Sequence, residues 1–76
     1  MENSKSQPQS DSVRLKTILE LLHLSGNKLG KILGYKSAAS VYHVLEGINN
    51  LSTGMIERII KNFPQVNYLY LKTGKV

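Results

Sequence analysis

The chain predicts an all-α fold, a compact bundle of five short helices. Three observations carry this. Apolar residues recur three and four apart in successive segments, which is the spacing of one helical face. Most of these segments are opened by a Ser, Asp or Asn suited to capping a helix and closed by a glycine or proline. The connections between segments are two to seven residues long, as in small helical domains. Seventy-six residues allow a single domain with a small core, so most apolar residues must be used in it.

Residues 1–12 predict a disordered arm, because nothing apolar follows Met1 before Val13 and Ser, Gln, Asn and Pro dominate. Its one basic residue, Lys5, lies between Glu2 and Asp11. The folded domain is expected over residues 13–76. The first helix is expected from about Ser12 to His23, capped by Asp11 or Ser12. Leu15, Ile18, Leu19 and Leu22 form its apolar face, while Arg14, Lys16 and Glu20 face water.

Ser25 caps the second helix, with Gly26, Asn27 and Lys28 in its first turn. Leu29, Ile32 and Leu33 are expected to be buried. Gly30 leaves room for a neighbouring helix, and Gly34 reverses the chain where a left-handed backbone costs glycine least. The third helix is expected from about Ala38 to Leu45, with Ser37 near its cap and Val41, Val44 and Leu45 inward. Ala38, Ala39, Ser40, Tyr42 and His43 then point elsewhere.

The fourth helix starts after Ser52 and reaches Asn62. Met55, Ile56, Ile59, Ile60 and Phe63 repeat at helical spacing, and Pro64 closes it. Asn67 caps a last helix from Tyr68 to Lys72, which Thr73-Gly74 ends. One core is expected from Leu15, Ile18, Leu22, Leu29, Leu33, Val41, Val44, Ile56, Ile59, Phe63 and Leu71.

Ten Lys and Arg stand against five Asp and Glu, a net charge of +5. A basic folded part points to a polyanion as partner. The absence of cysteine excludes disulfides and thiolate metal sites and fits a cytoplasmic location. No apolar run is long enough to span a membrane, and the polar start does not read as a signal peptide. An enzyme is not expected. Asp11, Glu20, Glu46 and Glu57 are scattered without an acid/base pair on one helix face. His23 and His43 lack companion ligands for zinc, and no glycine-rich loop follows a strand. No cofactor or small-molecule ligand is inferred.

Two short helices joined by a glycine turn suggest a helix-turn-helix, a device that presents its second helix to the DNA major groove. Three motifs extend this reading: Leu29-Gly30-Lys31-Ile32-Leu33-Gly34, Val41-Tyr42-His43-Val44-Leu45-Glu46-Gly47-Ile48-Asn49, and Phe63-Pro64-Gln65-Val66-Asn67-Tyr68-Leu69-Tyr70-Leu71-Lys72-Thr73-Gly74. In this order and spacing they resemble the lambda-repressor-like family, the Cro/CI-type helix-turn-helix domains of phage and bacterial regulators. The resemblance covers about Val13 to Gly74. It implies a five-helix DNA-binding domain acting as a transcriptional regulator, a repressor by expectation, with double-stranded DNA as partner. One short recognition helix reads only a few base pairs, so two copies, as a homodimer, are expected on a specific site.

The chain departs from that pattern in three places. With a turn of the family's usual length after Gly34, Ser40 and His43 would be the buried positions of the third helix. One added residue, within Lys36-Ser37-Ala38, buries Val41 and Val44 instead. Burying an unpaired polar group costs on the order of 1–3 kcal/mol, so the longer turn is expected. The family often pairs glutamines at the starts of its second and third helices to read adenine. Gly26 and Ala38 stand at those positions here, so glutamine readout is excluded. Glu46 stands where a neutral residue often lies near phosphate.

On this reading, Ser25, Gly26 and Asn27 at the start of the second helix present backbone N–H groups to phosphate. Asn49, Asn50 and Ser52 do so at the start of the fourth. Lys28, Lys31 and Lys36 add sequence-independent attraction. Base contacts fall to Ser37, Ala39, Ser40, Tyr42 and His43, with Ala39 limited to apolar contact with a thymine methyl. Tyr42 also reads as a packing residue, His43 as a solvated one, and Asn49-Asn50 as a turn. Tyr68 and Tyr70 suit the core or a dimer interface. A protein-interaction module of the same fold, such as an antitoxin or adaptor, is the competing function, favoured by Glu46 and the missing glutamines.

Overall fold

A computed structural model describes residues 10–74 of the chain. Most of the expected arm, including Glu2 and Lys5, lies outside the described residues, as does Lys75. The described residues form five helices and no strand: α1 Asp11–Leu22, α2 Gly26–Leu33, α3 Ala39–Leu45, α4 Thr53–Asn62 and α5 Tyr68–Thr73. α1 packs on α3 and α5, α2 packs on α3 and α4, and α4 packs on α5. No helix among the described residues is long and apolar enough to cross a membrane.

Local capping accounts for most of the boundaries. Ser25, Ser52 and Asn67 each hold an extended backbone, and their side-chain oxygens accept from the N–H groups of Lys28, Met55 and Tyr70, all at 3.0 Å. Gly34 adopts φ 87°, and Tyr35 N–H donates back to the Gly30 carbonyl at 3.0 Å, closing α2. Gly47, at φ 81°, turns the chain after α3, so that Ile48 N–H reaches the His43 carbonyl at 2.9 Å.

α1 corrects the expected start. Its cap is Ser10, whose hydroxyl accepts from Val13 N–H at 3.4 Å, so Asp11 and Ser12 belong to the helix rather than to the arm. This releases the Asp11 carboxylate for longer-range work. One oxygen pairs with the Arg14 guanidinium, and the other accepts from Leu51 N–H at 2.7 Å across 40 residues of chain. Arg14 does not face water as expected. It is buried, and its Nε donates to the Leu71 carbonyl at 3.1 Å. A buried cation needs both a counter-charge and hydrogen-bond acceptors, and Asp11 and the end of α5 supply them.

The core is Leu15, Ile18, Leu19, Leu29, Leu33, Val41, Val44, Leu51, Met55, Ile56, Ile59 and Leu71. Leu22 and Phe63, expected within it, pack partly buried against its edge. Leu51, assigned to no helix face from the sequence, is drawn in because the Asp11 carboxylate satisfies its N–H. Ile32 was expected inside and is 39 % exposed, since only the Leu29 and Leu33 side of α2 meets the other helices.

The register of α3 follows the longer turn. Val41 and Val44 are buried, whereas Ser40 and His43 are exposed. α3 begins at Ala39, one residue later than expected. Ala38 takes the cap position without a side-chain hydrogen bond, and Ser37 Oγ accepts from Ala39 N–H at 3.3 Å. Gly30 is approached closely, by Ala38 of the turn rather than by a helix. A Cβ built on it would lie 3.1 Å from Ala38 Cα, which fits the turn against α2 only because no side chain intervenes.

Candidate functional site

The candidate surface is built from α2, the turn after it and the outward side of α3. Ser25, Asn27, Lys28, Lys31, Lys36, Ser37, Ala39, Ser40, Tyr42, His43, Asn49, Asn50 and Ser52 are all exposed. Inward Val41 and Val44 set the outward direction of Ala39, Ser40, Tyr42 and His43, because positions on a seven-residue helix rotate together.

The charge of this region has one sign. From Leu21 to Leu45 the chain contains no Asp or Glu, while Lys28, Lys31 and Lys36 all fall within it. Lys28 and Lys31 are one turn apart on α2, and Lys36 follows in the turn. Glu46, at the C-cap of α3, is the first acidic residue met along the chain beyond this stretch. The lysines are solvated, so their attraction for an anion is long-ranged only at low salt, with a screening length of about 8–10 Å at 0.10–0.15 M.

The helix starts are more occupied than expected. Ser25 Oγ takes the Lys28 N–H and Ser52 Oγ takes the Met55 N–H, so each helix offers an anion only its earlier amides. For α2 these are Gly26 and Asn27, and for α4 they are Thr53 and Gly54. The two starts are also anchored differently. The segment leading into α4 is tied to α1 through the Asp11–Leu51 hydrogen bond. The first turn of α2 is covered by a residue of α3.

That residue is Tyr42. A Cβ built on Gly26 would lie 2.8 Å from Cζ, 3.0 Å from Cε1 and 3.1 Å from Oη of Tyr42. The phenol ring therefore rests against the Gly26 backbone, while 36 % of the residue stays exposed. Tyr42 is thus a packing residue that also lies partly at the surface.

Three side chains with structural roles here escaped the sequence reading. Arg58 of α4 donates from Nη1 to the Leu33 carbonyl at 2.8 Å and lies 4.9 Å from the centroid of the Tyr35 ring. It closes the C-terminus of α2, where unpaired carbonyls favour a cation. Arg14 and Asp11 are the others. The local signal for Arg58 was the unpaired carbonyl end of α2, but nothing in the sequence says which cation comes there. Tyr68 and Tyr70 divide as follows: Tyr70 packs against the core, and Tyr68 lies at the surface with Lys72 Nζ 5.7 Å from its ring centroid. Among the described residues no group of three or more His, Cys, Asp or Glu is placed to hold a metal ion.

Comparison of the chain with protein-family models, with curated proteins and with solved structures finds no match.

Proposed function

We propose that this protein binds double-stranded DNA sequence-specifically through α2, the following turn and α3, acting as a transcriptional regulator of the lambda-repressor-like type. α3 is the reading helix and α2 the helix that lies across the backbone. The observation that carries this reading is the juxtaposition of a lysine-bearing, acid-free stretch, Leu21 to Leu45, with the exposed polar side of α3. Lys28, Lys31 and Lys36 supply backbone attraction, while Ser37, Ser40, Tyr42 and His43 carry donors and acceptors suited to base edges. Gly26 and Ala38 leave no glutamine for adenine, so readout differs from the usual pattern of that family.

A helix as short as α3 spans few base pairs, so specificity is expected from two copies on half-sites one DNA turn, ~34 Å, apart. α5 is the proposed self-association surface, because Leu69 is 59 % exposed beside surface-lying Tyr68.

The test is titration of a labelled random-sequence duplex at several salt concentrations, followed by selection of bound fragments from a random pool. The expected result is an affinity that falls steeply and log-linearly with salt, together with an enriched sequence. Binding that is absent at low salt overturns the proposal. Glu46, exposed at the end of α3, favours the second reading, a protein-interaction module of the same fold. Loss of all duplex binding would leave that reading standing.

A further inference from the structure

Gly26 is buried at the first position of α2, yet its backbone does not require a glycine, since its φ is not positive. A serine-capped helix start also gains nothing from glycine there, because glycine is the poorer helix former. What the position does require is space. A side chain at 26 would occupy the volume now filled by Cζ, Cε1 and Oη of Tyr42, 2.8–3.1 Å from the Cβ site. The glycine is thus explained by the tyrosine across from it on α3.

Tyr42 in turn is unusual among the exposed residues of α3. Ser40 and His43 are exposed, and the Tyr42 ring, though partly exposed, is laid on the α2 backbone. Its hydroxyl has no hydrogen-bond partner among the described residues. A phenol has two side-chain torsions, and one held in place before binding loses little freedom when a ligand arrives. The hydroxyl both donates and accepts, which suits a base edge.

We infer that Gly26 and Tyr42 form a single reading element, in which Gly26 positions the Tyr42 phenol for a specificity-determining hydrogen bond to one base pair. Gly26 is the positioning residue and Tyr42 the contacting one. The inference rests on the DNA-binding reading above and adds a contact that spans both helices of the motif. An aromatic ring from α3 thus joins the two helices at this surface.

Gly26→Ala is a suitable probe because the atoms it would collide with are the far end of one side chain. The ring is therefore expected to move rather than the backbone. Tyr42→Phe keeps the ring on Gly26 and removes only the hydroxyl. Three chains are compared with the wild type: Gly26→Ala, Tyr42→Phe and the double variant. Circular dichroism and thermal melting establish folding, and selection from a random duplex pool plus titration against selected and random duplexes measures preference. A single net hydrogen bond, about 0.5–1.5 kcal/mol, corresponds to roughly two- to twelve-fold. Tyr42→Phe is expected to lower the specific-to-random affinity ratio by that factor at one base-pair position, with the salt slope unchanged. Gly26→Ala is expected to relax the same position, and the double variant to lose no more than Tyr42→Phe alone.

One measurement needs no DNA. The Gly26 Hα resonances of the free protein are expected to carry a ring-current shift that Tyr42→Ala abolishes. Should Gly26→Ala fail to fold, Tyr42→Phe and this measurement still decide. Several results overturn the inference while leaving DNA binding intact. These are an unchanged preference in both single variants, a uniform loss across all sequences in Tyr42→Phe (a phosphate contact), a further loss in the double variant, and a missing ring-current shift. A wild-type chain that binds no duplex overturns the DNA-binding reading and this inference with it.

Discussion

Arg14 of α1 donates from Nε to the Leu71 carbonyl of α5 at 3.1 Å, while its guanidinium pairs with Asp11 one turn earlier on its own helix. The Leu71 carbonyl belongs to the last turn of α5, where helix carbonyls lack intrahelical partners. Arg14 therefore closes α5 from the outside, and Asp11 links the same cluster to Leu51 ahead of α4.

Arg14→Met keeps much of the side-chain volume and removes the charge. It leaves the Leu71 carbonyl without this donor and Asp11 without its cation. The expected loss of stability is about 2–3 kcal/mol, read as a lowered urea midpoint. Hydrogen exchange in α5 should accelerate more than in α2. A midpoint equal to that of the wild type would mean that the cluster contributes nothing net.

Gly30→Leu tests the contact between α2 and the turn. Even the first carbon of a new side chain would lie 3.1 Å from Ala38 Cα and 3.3 Å from Ala38 Cβ, and the rest of a leucine has no room. The expected cost is about 1–3 kcal/mol from forced displacement of the turn. DNA affinity should fall with it, because α3 is carried by that turn. Wild-type thermal stability in Gly30→Leu would show that the turn yields freely.

Lys36 follows α2 in the turn and is exposed. Each phosphate neutralised by a cation adds roughly 0.9 to the log–log slope of affinity against salt. Lys36→Ala is accordingly expected to weaken binding to all duplexes by a similar factor and to flatten the slope by about one unit. An unchanged slope removes Lys36 from the contact surface.

Leu69 is the most exposed large apolar residue of α5. Sedimentation is expected to show two copies on a palindromic duplex with half-sites one turn apart, and Leu69→Lys is expected to favour single occupancy. A wild-type complex holding one copy on a non-palindromic site defeats the dimer proposal.

The sequence alone determined what depends on neighbours within one turn. The caps Ser25, Ser52 and Asn67 and the left-handed Gly34 and Gly74 are local hydrogen-bonding and backbone choices; the helix ends they mark lie where expected, except that α5 runs one residue further, through Thr73. The inward placement of Val41 and Val44 was also legible, because the alternative register buried a hydroxyl and an imidazole. Tertiary structure decided whatever joins distant segments. Arg14 looks like a solvated residue until the end of α5 arrives over it, and Leu51 looks like loop until Asp11 takes its N–H. Ile32 has the spacing of a core residue, yet it stays 39 % exposed at the edge of the buried side of α2. Gly26 looks like a weak helix start until the Tyr42 ring is seen resting on it. Helical periodicity repeats every few residues and says which side of a helix is apolar, whereas the crossing of two helices sets which side chains meet, and that depends on the packing of all five together.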